Sequence, residues 1–224
     1  MPYTVFSSPA DQIIFDVGHQ CYVHKMLTGR YNRFSTLRQK DGLSGFPNPE
    51  ESEHDIFKTG HSSTSISSAL GLVYAKSLSG DDNSSVVAVI GDGSMTGGLA
   101  YEGLNNAGSS EKNLVVILND NKMSISKNVG AISKTLTRLR SKSGYFRFKD
   151  ALGSALVKIP YIGKPVYRRL NRLKSAIKSY FYSSNIFESM GFKYIGPIDG
   201  HNIDLLTRVL SRAKSLKRPV LVHV

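Results

Sequence analysis

Gly91-Asp92-Gly93 and Asn119-Asp120-Asn121 constrain this chain more than any other feature. Each closes a short apolar run, Val86 to Ile90 and Leu114 to Leu118, and the stretch between them is long enough for one helix. The spacing predicts a strand, a crossover helix and a parallel strand, with both polar ends on the same edge of a sheet. Open α/β sheets bind their ligands at that edge. Asp92 and Asn121 lie 29 residues apart and offer hard oxygens that suit Mg²⁺, and the Met123 backbone carbonyl is a third candidate ligand. A cation held this way needs anionic oxygens to complete an octahedral shell, and a diphosphate is the natural source. The glycines on either side of Asp92 let the turn run close to such a ligand. A lone Gly-Asp-Gly is also a plain turn, so the weight rests on the whole pattern.

The chain has 224 residues, enough for one large α/β domain. Its one cysteine, Cys21, excludes an internal disulfide and fits a reducing compartment. No apolar run approaches the roughly 20 residues of a membrane span, and Met1-Pro2-Tyr3-Thr4 has none of the basic and apolar character of a signal peptide. Cytoplasm, no membrane and no nucleic-acid partner are the expectations. The net charge of +12 is local: Lys134 to Lys178 holds 13 basic residues and one acid, Asp150, and the remainder is neutral. A local basic insert is weaker evidence for nucleic acid than a global excess. It could equally face a phosphorylated substrate, a phosphate cofactor or a partner subunit.

Along the chain, Ile13 to Asp16 reads as a short strand ending at Val17-Gly18-His19, and Tyr22 to Leu27 as the following helix. Phe34 to Glu53 is irregular and reads as an ordered surface loop. Gly60-His61-Ser62-Ser63-Thr64-Ser65 opens a helix over about Ser63 to Ser77, with Ala69, Leu70, Val73 and Leu78 as a buried stripe. Its small-residue start offers free N–H groups to an anion, or is an ordinary serine cap. Met95 to Ala107 is the crossover helix, with Leu99, Leu104 and Ala107 near helical spacing; Gly97 and Gly98 weaken its start unless a neighbour packs closely there, and Gly103 permits another close approach. Asn128 to Lys178 reads as a basic, partly mobile excursion, at about 127–182. Ile186 to Met190 is a short helix and Phe192 to Ile195 a strand. Gly196 to His201 is a turn, Ile203 to Leu216 an amphipathic helix with Leu206, Val209, Leu210 and Ala213 inward, and Val220 to Val224 a final strand.

Rival sites fit poorly. Neither a Gly-x-Gly-x-x-Gly fingerprint nor a Gly-x-x-x-x-Gly-Lys-Ser/Thr loop is present. His19, Cys21 and His24 do not match a zinc spacing. His19 and His61 each follow a glycine near an element end, which suits contact with phosphate or substrate at the sheet edge, whereas His24 and His54 suit a surface or structural role. Cys21 reads as a small buried thiol rather than a nucleophile.

Several stretches together resemble one family: Phe15-Asp16-Val17-Gly18-His19-Gln20, Glu51-Ser52-Glu53-His54-Asp55, Gly60-His61-Ser62-Ser63-Thr64-Ser65-Ile66-Ser67, and Ile90-Gly91-Asp92-Gly93 with Thr96. The strongest runs are Leu118 to Ser126 followed by Asn128-Val129-Gly130, and Tyr194-Ile195-Gly196-Pro197-Ile198-Asp199-Gly200-His201. They resemble the N-terminal, diphosphate-binding domain of the 1-deoxy-D-xylulose-5-phosphate synthases, a transketolase-like group that depends on thiamine diphosphate. The resemblance implies an α/β fold of three layers, a mostly parallel sheet with helices on both faces, over residues 1–224. It implies thiamine diphosphate and Mg²⁺ as cofactors, with Asp92, Asn121 and the Met123 carbonyl as metal ligands and His19 and His61 as active-site histidines. Cofactor contacts are expected from His19, Gly60, His61, Ser62 and Ser63, and from Gly91, Asp92, Gly93 and Ser94. Asn121, Met123 and Ser124 complete that set.

The implied reaction is the decarboxylative condensation of pyruvate with glyceraldehyde 3-phosphate by a bacterial cytoplasmic transferase, homodimeric when complete, whose product feeds isoprenoid and thiamine synthesis. The family's pyrimidine-binding and C-terminal domains, and its segment before the first strand, have no counterpart in these residues. By itself the chain is expected to bind cofactor weakly and to lack activity. The basic segment is expected to attract anionic substrate. Two further readings are another transketolase-like thiamine enzyme and a non-catalytic diphosphate–Mg²⁺ module.

Overall fold

A computed structural model describes residues 2–121 and 186–224. Five parallel strands form one sheet in the order β1-β2-β3-β5-β4: β1 Gln12–Phe15, β2 Val86–Gly91, β3 Leu114–Asn119, β4 Lys193–Ile195 and β5 Val220–His223. The central strands are almost unbroken runs of β-branched and aliphatic residues, as a sheet covered on both faces requires. Their side chains alternate between two cores. Ile14, Val86, Ala88, Ile90, Leu114, Val116, Leu118 and Leu221 face one way, and Ile13, Val87, Val115, Ile117, Val220 and Val222 the other.

After the short α1 (Tyr22–Lys25), the first core is closed by α2 (Ser65–Leu78), α3 (Gly98–Ser109) and the short α4 (Ile186–Ser189). The second is closed by α5 (Ile203–Ser215) and by Phe6 near the N-terminus. The α/β architecture with helices on both faces is therefore as the sequence predicts, and the sheet is parallel throughout the described residues. In α5 the Asn202 side chain accepts from the Leu205 N–H, Asp204 stands in the first turn, and Arg212 and Lys214 stand in the last. Cap and charges all favour this helix polarity.

Glycines let α2 and α3 approach closely. A β-carbon on Gly103 would meet Ser67 Oγ at 2.9 Å and Ile66 Cγ2 at 3.0 Å, and one on Gly97 would meet Ser63 Oγ at 2.1 Å. Close approaches were expected at both and also at Gly98, where a β-carbon would meet nothing within 4 Å.

Four local readings change. Leu78 is 88% exposed as the last residue of α2, so it is not part of the buried stripe. Leu99 is also exposed, on the outer side of α3. The helix read over Tyr22 to Leu27 is α-helical only to Lys25 and then widens into a π-type turn over Met26–Arg30, with Gly29 at φ +90°. The Phe34 to Glu53 loop begins inside a 3₁₀ turn, Tyr31–Thr36, and is anchored inward by Leu43, Gly45 and Pro47. The basic segment 134–178, and the 127–182 excursion to which it belongs, lie outside the described residues, with Ile186 marking where the description resumes.

Candidate functional site

Because β1, β2 and β3 are parallel neighbours, the turns that leave their carboxyl ends emerge on one edge. The register pairs Gly91 with Asn119, so Asp92 and Asn121 leave adjacent strand ends. The Asp92 N–H donates to the Asn119 carbonyl at 3.2 Å, which stitches the two turns together beyond the last ladder pair. Asp92 is 5% exposed, and Asn121 lies exposed at the end of β3. A carboxylate and an amide oxygen make a hard donor set, which fits Mg²⁺. Among the described residues no three His, Cys, Asp or Glu side chains form a group that could hold a metal ion. Met123 and Ser124 lie outside the described residues.

His19 follows β1 and is exposed on the same edge. Its turn is crowded from above: a β-carbon on Gly18, at φ +99°, would meet Pro47 Cδ at 2.4 Å and Thr59 Oγ1 at 2.5 Å. Only glycine allows this turn to pass beneath the 44–60 loop.

Exposed His61 reaches the edge by a different route. The Asp16 carboxylate, 1% exposed, accepts from the Ser63 N–H at 2.8 Å and from the Ser65 N–H at 3.1 Å. The anion at the start of α2 is thus the chain's own, and two of the N–H groups expected to await a ligand are already used. No acid stands in the first turn of α2 itself. That gap, together with an aspartate closing β1, was the available sequence signal for this long-range cap. Ser63, at φ +71°, then turns its hydroxyl to donate to the Ser94 carbonyl at 2.8 Å. One residue thereby ties the His61 loop to β1 and to the turn after Asp92. Gly60 is half-buried, Ser62 exposed, and Gly91, Gly93 and Ser94 half-buried along the same rim.

A buried ionic cluster lies beneath the 37–55 loop and was not legible beforehand. Asp55 receives His24 Nε2 at 2.6 Å, Arg30 Nη1 at 2.6 Å and Nη2 at 2.9 Å, and the Asn48 N–H at 2.7 Å. Lys25 Nζ donates to Glu51 at 2.6 Å, and Glu51 also accepts the Ser44 N–H at 2.7 Å. Burial alone would raise the Asp55 carboxyl, but the hydrogen bonds from His24 and Arg30 outweigh it and hold the group well below the usual carboxylate range. Glu51 is likewise lowered: burial opposes this, and Lys25 and Ser44 prevail. His24 also bonds Tyr3 Oη and packs on Phe15, so its role is structural and interior rather than on the surface. His54 Nδ1 lies 2.9 Å from Ser8 Oγ, again a structural contact. Cys21 is fully buried, and burial pushes its thiol up to about 11, which makes it a poor nucleophile.

This fold is that of the transketolases. The chain superposes on the transketolase from Leishmania mexicana with a TM-score of 0.63 at 19% identity, covering 95% of this chain and 28% of that one. The Campylobacter jejuni transketolase gives 0.60 at 18% identity, with 95% and 28% coverage. Sequence narrows the class. A family model described as 1-deoxy-D-xylulose-5-phosphate synthase matches residues 2–224, and the chain belongs to that family. It is 55% identical over 220 residues to the 1-deoxy-D-xylulose-5-phosphate synthase of Desulforudis audaxviator, covering 98% of this chain and 34% of the relative. The Pelotomaculum thermopropionicum synthase is 56% identical over 222 residues, with 99% and 34% coverage. The chain spans about a third of the length of these relatives.

Proposed function

We propose that residues 1–224 form the thiamine-diphosphate- and Mg²⁺-binding domain of a 1-deoxy-D-xylulose-5-phosphate synthase, a transketolase-type transferase. The complete enzyme joins pyruvate to glyceraldehyde 3-phosphate with loss of CO₂, as a homodimer in the bacterial cytoplasm, and supplies isoprenoid and thiamine synthesis. The observation that supports this reading is the pairing of β2 with β3, from whose neighbouring carboxyl ends Asp92 and Asn121 follow. In it, Asp92 and Asn121, with the Met123 carbonyl, would hold Mg²⁺, which would supply positive charge for the diphosphate. The Gly91-Asp92-Gly93-Ser94 turn and the Gly60-His61-Ser62-Ser63 turn line the anion, and Ser124 contributes from beyond β3. His19 and His61 orient cofactor and substrate from that edge. The cofactor's thiazolium supplies the electron sink, and the protein binds, orients and excludes water.

Calorimetric titration with thiamine diphosphate, with and without Mg²⁺, tests the site. Binding that requires Mg²⁺ and weakens about a hundredfold in Asp92→Ala is the expected result. Equal binding by a folded Asp92→Ala protein would overturn the assignment of the metal site.

A further inference from the structure

The Tyr194 to His201 run and the Asn119 to Asn121 run meet on one side chain, His223, the last residue of β5. Its ring is 1% exposed and engaged at both nitrogens. Tyr194 Oη lies 2.8 Å from Nδ1, and Asp120 Oδ2 lies 3.2 Å from Nε2. A carboxylate only accepts, so in the neutral ring Nε2–H donates to Asp120 and the Tyr194 hydroxyl donates to Nδ1.

The backbone closes around the same residue. A β-carbon on Gly196, at φ +137°, would meet His223 O at 2.5 Å and His223 Cβ at 2.9 Å, and one on Gly200 would meet Val224 Cγ1 at 2.4 Å. The Ile198 N–H donates to His223 O at 3.0 Å. The glycines of this turn therefore clear space for β5 to carry a histidine under it. On the other side, the Asp120 N–H donates to Val224 O at 2.8 Å and the Val224 N–H donates to Leu118 O at 2.9 Å. Asp120, whose side chain is also 1% exposed, is gripped by backbone and by imidazole one residue before Asn121. One residue earlier, the Asn119 carbonyl takes the Asp92 N–H.

We propose that His223 is a positioning residue for the cation site. Held by Tyr194, it fixes the Asp120 carboxylate and so sets the direction in which Asn121 leaves β3. The inference rests on the reading that Asp92 and Asn121 hold Mg²⁺. Groups that orient metal ligands from behind cost about ten- to a hundredfold in metal affinity when removed.

The full chain is titrated with Mn²⁺ in the presence of thiamine diphosphate. Bound metal is counted by electron paramagnetic resonance, well below each variant's unfolding midpoint. His223→Leu is expected to weaken Mn²⁺ about ten- to a hundredfold, and Tyr194→Phe less. His223→Gln, whose amide N–H still reaches Asp120, is expected to recover most of the loss. A purely structural role would lower the midpoint and leave the affinity of the folded molecules unchanged. Amide exchange without metal is the second readout, expected to speed up at Asn119 to Asn121 in His223→Leu while β2 stays protected.

Equal Mn²⁺ affinity in wild type and His223→Leu overturns the proposal. Absence of Mn²⁺ binding in the wild type overturns the cation reading and this proposal with it, and exchange then shows separately whether the clamp exists. Should His223→Leu fail to fold, Tyr194→Phe and His223→Gln carry both readouts.

Discussion

Around Asp55 the chain surrounds a buried carboxylate with its own donors, the His24 ring and the Arg30 guanidinium, with Lys25 on neighbouring Glu51. At the ends of β2 and β3 it mounts one on backbone: Asp92 sits between two glycines, with its N–H on the next strand's turn. The two regions hold acids for different ends. The cluster pins an irregular loop that has little apolar surface of its own to bury, with Leu43 and Pro47 as its buried side chains between Leu37 and Glu51. The strand ends need no such pin, because the parallel ladder already places them. An acid whose opposing charges are the protein's own stabilises the fold. An acid carried to the carboxyl edge by the parallel ladder is the one the proposed cation site calls on.

The sharpest way to break this contrast is to remove each acid in turn. Asp55→Ala leaves buried cations without their counter-charge and is expected to cost about 3–5 kcal/mol in urea unfolding. Asp92→Ala is expected to weaken Mg²⁺-dependent thiamine diphosphate binding by about a hundredfold, about 2.7 kcal/mol, with much less effect on unfolding. If the two variants behaved alike in both assays, the distinction would be lost. Asp16→Ala sits between them: it uncaps α2 and loosens the His61 loop, at about 1–3 kcal/mol of stability, with weakened cofactor binding in the same protein.

Acid sharpens the comparison. The folded Asp55 carboxyl lies below its unfolded value, so its contribution is complete above about pH 4 and fades as pH falls toward the lower, folded value. Stability measured from pH 5 downward should fall less steeply in Asp55→Asn than in wild type.

The smallest effect belongs to a pair of adjacent glycines. Gly98→Ala meets nothing within 4 Å at the start of α3 and is expected to stabilise by about 0.5 kcal/mol, from reduced freedom of the unfolded chain. Gly97→Ala would strike Ser63 and is expected to destabilise by about 1–3 kcal/mol. Thermal midpoints of the two read the difference.

Much of this was legible because it is local. The apolar runs of β2, β3 and β5 and the inward stripe of α5 appear within a few residues of their expected bounds. Cys21 was readable as a buried thiol, and Gly97 and Gly103 as points of close approach. Asp16, Asp55 and His223 were not read. Their partners lie 47, 25 and 103 residues away, at Ser63, Arg30 and Asp120, and a carboxylate or imidazole has the same appearance in sequence whether buried or exposed.

By itself, then, the sequence determined the strands, the parallel α/β class, the family and the polar turns after β2 and β3, because hydrophobic period and turn residues act over a few positions. The tertiary structure alone decided which polar groups those turns would meet. Asp16 rather than an external anion occupies the start of α2, and the Tyr194 to His201 turn reaches Asp120 through a histidine at the far end of another strand. Burial forces each polar group to find a partner, and the partner is whichever group the folded sheet carries into reach.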